Sequence, residues 1–183
     1  MIANKIVEIK SLCNNGLNDL RNSQAMLSKN VIFLIKQRLL DIAKQEIDAV
    51  LRVSPKCYFY QYIVTNVCLQ EYLCKPIPEL YKKCITKIRL SSHKLVIEQG
   101  RYNKTNRNRR TCKLCINEIE DEMHFILLCP SYVNLRKQFI KSYYWKKPSV
   151  YEMLQLLSVS NTKELCNLGK YMFNATKLRN VWL

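Results

Sequence analysis

CKLCINEIEDEMHFILLC, residues 112–129, places Cys112, Cys115, His124 and Cys129 in the spacing C-x2-C-x8-H-x4-C. A tight CxxC turn supplies two thiolates and a second element supplies an imidazole and a third thiolate, which is the donor set of a closed, four-ligand zinc site. Nine cysteines in 183 residues give about 0.4 CxxC pairs by chance, so the pair alone decides little. An HxxxxC within about twenty residues of it lowers that expectation to roughly a hundredth. The expected cofactor is one structural Zn2+, with no open position to activate water. His124 and Cys129 lie about 140° apart on a regular helix, so both reach one ion only if the helix loosens toward Pro130. The second ring nitrogen of His124 needs a partner, which Glu118, Glu120, Asp121, Glu122 or a backbone carbonyl could provide.

Immediately upstream, RYNKTNRNRRTCK (101–113) carries cations and no acid. It lacks hydrophobic periodicity and reads as a loop or arm. Arg101, Lys104, Arg107, Arg109, Arg110 and Lys113 are spaced to neutralise phosphates, and Tyr102 offers a stacking face. The formal charge of +16, from 30 Lys and Arg against 14 Asp and Glu, favours a polyanionic partner, with RNA or single-stranded nucleic acid the expectation. A membrane partner is not expected, since the longest purely apolar run is the five-residue VIFLI at 31–35. MIANKIVEIK has no signal-peptide core, which predicts a nuclear or cytoplasmic protein with reduced cysteines. The other six, Cys13, Cys57, Cys68, Cys74, Cys84 and Cys166, read as small hydrophobes. Nothing in the sequence specifies an oligomeric state.

The remaining signals are helical. Asn14-Asn15-Gly16 forms a break before a short amphipathic stretch, Leu17 to Leu27. Ser28 is the expected N-cap of a long helix in which Ile32, Ile35, Leu39, Ile42, Ala43, Ile47 and Val50 recur, ending at Ser54 before Pro55. An apolar, aromatic segment from Cys57 to Leu73 ends at Pro76, and Pro78 with Glu79 opens the next helix. Ser92 is expected to cap a short helix closed by Gly100. Downstream, Ser131 is expected to cap YVNLRKQFIKSYY, Ser149 VYEMLQLL, and Asn161 with Glu164 a last helix reaching Arg179. Tyr132, Leu135, Phe139 and Tyr143 form one apolar stripe, and Met153, Leu156 and Leu157 another. His93 reads as a packed or capping residue. The expected fold is all-α: a helical region over residues 1–100, a basic arm and CCHC finger over 101–130, and C-terminal helices over 131–183.

IRLSSHKLVIEQGRY (88–102), Arg110-Thr111-Cys112 and EDEMHFILLCPSYVNLR (120–136) resemble the zinc-binding C-terminal region of reverse transcriptases of LINE-type non-LTR retrotransposons. The resemblance extends through IKQRLLDIAKQEI (35–47) and QEYL (70–73) to LGKYMFNATKLR (168–179), covering the chain from about residue 30. It implies that Cys112, Cys115, His124 and Cys129 are the metal ligands, that Arg101, Arg107, Arg109 and Arg110 belong to a basic lead-in, and that the module holds RNA or the RNA and DNA target. No adjacent aspartates occur among Asp19, Asp41, Asp48 and Asp121, as the polymerase metal site requires, and no Pro precedes an Asp, as the restriction-like endonuclease of some relatives requires. Three scattered glycines, Gly16, Gly100 and Gly169, exclude a phosphate-binding P-loop and a dinucleotide-binding fingerprint. The reading is therefore a non-catalytic nucleic-acid-binding fragment of a retrotransposon polyprotein. The competing reading is a protein interaction module in which zinc only staples two helical halves.

Overall fold

A computed structural model describes residues 29–54, 56–64, 68–116 and 118–181. Among these the chain is all-α, with no strand beyond a single antiparallel bridge between Thr111 and Ile119. No helix among them is long and apolar enough to cross a membrane. The expected cap Ser28 and the stretch 17–27 lie outside the described residues.

The chain divides into two compact units, residues 1–50 and 51–183. In the first, α1 (Lys29–Val53) is the described element, ending where the residue before Pro55 resists helical geometry. Its apolar stripe is exposed at Ile32, Leu39, Ile47 and Val50.

The second unit contains α2 (Tyr60–Ile63), α3 (Glu71–Cys74), α4 (Glu79–Arg89), α5 (Val96–Tyr102), α6 (Val133–Phe139), α7 (Ser142–Lys146), α8 (Val150–Leu157) and α9 (Thr162–Val181). The expected division points at residues 100 and 130 both fall inside it, and its core runs through all three expected regions: Ile85 and Ile97, then Phe125 and Ile126, then Met153, Leu165 and Tyr171. Pro78 precedes α4 and Glu79 sits in its first turn, as the sequence predicts. Ser149 caps α8, its hydroxyl accepting from Tyr151 N at 3.1 Å. Asn161 caps α9 by accepting from the backbone of Lys163 and Glu164 at 3.0 and 3.1 Å. The Glu164 carboxylate, expected to complete that box, is bonded to Lys141.

Three local expectations are corrected. Helix α5 begins after Leu95, without a side-chain cap from its own neighbourhood. Its first N–H, of Val96, is taken by the Glu120 carboxylate at 2.7 Å, so a residue 24 positions away replaces Ser92. Gly100 does not close this helix. It is buried within it, and a Cβ there would lie 2.6 Å from the Arg110 side chain, so glycine is required by packing. The end is made instead by Lys104 at φ 54, with Thr105 N donating to Gly100 O at 2.8 Å. Finally, the helix expected from Ser131 is split: Ile140 is extended and 4% exposed, serving the core at the expense of helix continuity, and Trp145 Nε1 bonds its freed carbonyl at 3.1 Å. Tyr143, beyond the break, is exposed and leaves the stripe.

Helices α4 and α9 pack directly against each other at Gly169 and Tyr81. A Cβ on Gly169 would lie 2.3 Å from Tyr81 Cβ, so only glycine permits the contact. Between α9 and the segment before Cys129, Tyr171 donates to Phe125 O at 2.6 Å, and the Phe125 ring meets Tyr132 edge-on at 5.2 Å. Replacement Gly169→Val forces α4 and α9 apart and should destabilise the protein by about 2–3 kcal/mol, measured by urea unfolding. A change within 0.5 kcal/mol would contradict this packing.

Candidate metal centre

Residues 110–112 and 118–120 pair as the two arms of a small hairpin. Cys112 N donates to Glu118 O at 2.7 Å and Glu120 N to Arg110 O at 2.9 Å, closing a loop that contains the CxxC turn. Ile116 N bonds back to Cys112 O at 2.9 Å. This turn places Ile116 at φ 65, a left-handed conformation that a β-branched residue adopts only when its surroundings over-determine it. The turn directs Cys112 and Cys115 toward one point.

The other two ligands come from one widened helical turn. Asp121 Oδ1 accepts from His124 N at 2.8 Å and starts the segment His124–Leu128, which is π-helical. Cys129 N donates to His124 O at 2.7 Å, an i to i+5 bond that stacks the fifth residue over the first. This is the loosening that the His124 to Cys129 spacing demands. Pro130, lacking an N–H, follows at the break.

The four donor atoms lie within 4.8 Å of one another. Cys112 Sγ and Cys129 Sγ are 3.9 Å apart, and Cys115 Sγ and His124 Nε2 are 3.4 Å apart. All the described cysteines are free thiols. Cys112, Cys129 and His124 are buried and Cys115 is partly so. Cys112, Cys115, His124 and Cys129 therefore form a cluster able to hold a metal ion. Of the partners open to the His124 ring, Glu118 takes the position: its Oε2 lies 2.9 Å from Nδ1, leaving Nε2 directed at the thiols. The sequence offers four carboxylates there, and only the hairpin register singles out Glu118.

Burial opposes protonation of the imidazole, but its bonds to Cys112 and Glu118 outweigh burial and raise His124 to about 9. The bond between Cys112 and Cys129 holds the Cys112 thiol well below the usual range and pushes Cys129 up. A bound cation would displace the protons these ligand groups carry.

Outside the ligands, two buried arginines support the site. Arg136 donates to the carbonyls of Cys129 and Leu128, fixing the chain where the fourth ligand leaves the π-turn. Arg179 donates to Glu120 from Nε at 2.7 Å and Nη2 at 2.9 Å, with both side chains at most 4% exposed. Neither arginine is recognisable in the sequence, because each works through tertiary contacts.

The basic run is more structured than the expected loop. Arg101 and Tyr102 end α5, and Arg107–Arg109 is a single 3-10 turn. Arg101 is paired with Glu98. Arg110 donates from Nε and Nη2 to Thr105 O at 2.9 and 2.7 Å, and from Nη1 to Ile97 O at 3.1 Å, which commits it to the backbone. Lys104, Arg107, Arg109 and Lys113 are exposed, as is Tyr102 at 88%. His93 is packed as expected, its Nε2 2.9 Å from Glu122 Oε1.

Glu118→Gln keeps the size of the residue but weakens its hold on the His124 ring, and should lower metal affinity by about 10- to 100-fold in a competitive chelator titration. Unchanged affinity would remove Glu118 from the site. Ile116→Gly relieves the left-handed strain and should stabilise the protein by up to about 1 kcal/mol in urea unfolding while leaving metal affinity intact; a loss of stability would contradict the strain.

No family model, curated protein or solved structure matches the chain.

Proposed function

We propose that the protein is a non-catalytic, zinc-stabilised nucleic-acid-binding module that takes RNA or single-stranded nucleic acid. The observation that carries the reading is the placement of exposed Tyr102, Lys104, Arg107, Arg109 and Lys113 on a short segment ending at the metal cluster. One aromatic face beside four cations suits an unpaired base with its flanking phosphates. Arg101 and Arg110, spent on Glu98 and on backbone carbonyls, hold the segment in shape and are left out of the contact set.

Zinc is the ion that the donor set favours, since three thiolates and one imidazole suit a tetrahedral borderline metal. At zinc bond lengths the edges of such a tetrahedron are about 3.5–3.8 Å, close to the 3.9 and 3.4 Å separations here. Four protein ligands leave no position for substrate, which supports a structural role. The resemblance to the zinc-binding region of LINE-type reverse transcriptases supports the same reading, with this chain a fragment of such a polyprotein acting in nucleus or cytoplasm.

A second reading has its own observation. The exposed apolar residues of α1, among them Ile32, Leu39 and Ile47, fit a zinc-stapled protein interaction module. Salt dependence separates the two. Four phosphate contacts to a single strand predict a slope of roughly −3 in a plot of log affinity against log salt. Arg107→Ala with Arg109→Ala should weaken binding of a labelled single-stranded oligonucleotide and reduce the slope by roughly 1.4, with metal content unchanged. Binding that ignores salt, or a double variant that loses metal and nucleic acid together, would contradict the assignment.

A further inference from the structure

Arg89 is a buried cation that the metal centre does not use. It ends α4 and is 4% exposed. Its Nη2 donates to Leu157 O, the last carbonyl of α8, and its guanidinium lies 4.1 Å over the Tyr72 ring. These contacts offer a helix C-terminus and a π face, each only a partial negative charge. The Arg89 Nε is buried without an acceptor. Arg179 in the same unit has the Glu120 carboxylate, whereas no carboxylate among the described residues forms an ion pair with Arg89. A buried guanidinium met only by partial charges lacks a full counter-charge, which an anion would supply.

Space for one exists beside it. A cavity of about 140 Å³ is lined by Arg89, Gln70, Tyr72, Ser158 and Ser160, with Ile63 and Val159 as its apolar wall. Ser158 and Ser160 are exposed residues, and no side-chain hydrogen bond among the described residues occupies their hydroxyls. Glu71 also lines the cavity, but its carboxylate is paired with Lys75 at 2.6 Å. Since a water's share of liquid is about 30 Å³, the cavity holds a few waters or one tetrahedral oxyanion, and no nucleoside.

We propose that this cavity is a binding site for a small tetrahedral oxyanion of the phosphate class, with Arg89 as the buried cation and Ser158 and Ser160 as hydroxyl donors at its mouth. An oxyanion with several acceptor atoms matches the guanidinium fork better than a spherical halide does. The site is separate from the basic segment at 101–113 and stands whether or not that segment binds nucleic acid.

The test is isothermal titration of the full chain with inorganic phosphate at constant ionic strength, in a buffer without other oxyanions. One saturable site with a Kd of about 1 mM or tighter is expected. Arg89→Met should weaken it by more than about tenfold. Ser160→Asp keeps Arg89 and plants a carboxylate at the exposed mouth. It should weaken phosphate binding by a similar factor and raise Tm in phosphate-free buffer, which keeps the test decisive if the Arg89 variant fails to fold. Absence of saturable binding, or unchanged affinity in Ser160→Asp, would overturn the site. So would loss of binding in Arg107→Ala with Arg109→Ala, because phosphate would then be sitting on the basic segment.

Discussion

The Glu120 carboxylate holds the second unit together. It sits inside the core at 1% exposure and receives both Arg179 donors from α9 and the first N–H of α5. Its backbone adds two more ties, donating to Arg110 O and accepting from Ile97 N at 3.1 Å. Burial alone would lower the Arg179 guanidinium, yet the Glu120 contact raises it above its ordinary value. A pair of this kind need not add net stability over apolar residues, but breaking it strands a buried charge at a cost of about 3–5 kcal/mol. Its effect here is on geometry: the hairpin carrying Cys112, the start of α5 and the end of α9 have one compatible arrangement.

The metal cluster follows from that arrangement. The hairpin arms 110–112 and 118–120 are short, and the CxxC turn between them requires Ile116 in a left-handed conformation. The opposing π-turn likewise departs from the regular helix so that His124 and Cys129 face the same point. Both distortions are local costs, and coordination of a shared ion offsets such costs in small ligand-bearing segments. Phe125, Ile126 and Leu127, between those two ligands, are nonetheless core residues, so the widened turn belongs to both the site and the hydrophobic interior.

What could be read from the sequence was what depends on spacing and local chemistry. Cys112, Cys115, His124 and Cys129 were legible because coordination restricts residue type and separation together. Ser149 and Asn161 were legible because a cap acts within three residues. The all-α class was legible from apolar periodicity. Glu118, Glu120, Arg136 and Arg179 were not, since a carboxylate or guanidinium in a charged chain looks alike whether it is solvated or buried, and only tertiary register separates the two. Gly100 looked like a helix terminator and Gly169 carried no local signal, yet both are places where another chain segment passes too close for a Cβ. Arg110 looked like part of a phosphate grip, but its donors are met by carbonyls at Thr105 and Ile97.

In the proposed function, Cys112, Cys115, His124 and Cys129 bind one structural zinc ion that orders the segment bearing the basic surface. The most direct measurement is native mass spectrometry of the protein purified under reducing conditions, with hydrogen exchange on the same sample before and after chelation. One zinc per chain is expected, with a loss of amide protection on chelation confined chiefly to residues 100–130. A metal-free chain with the same protection pattern would contradict it.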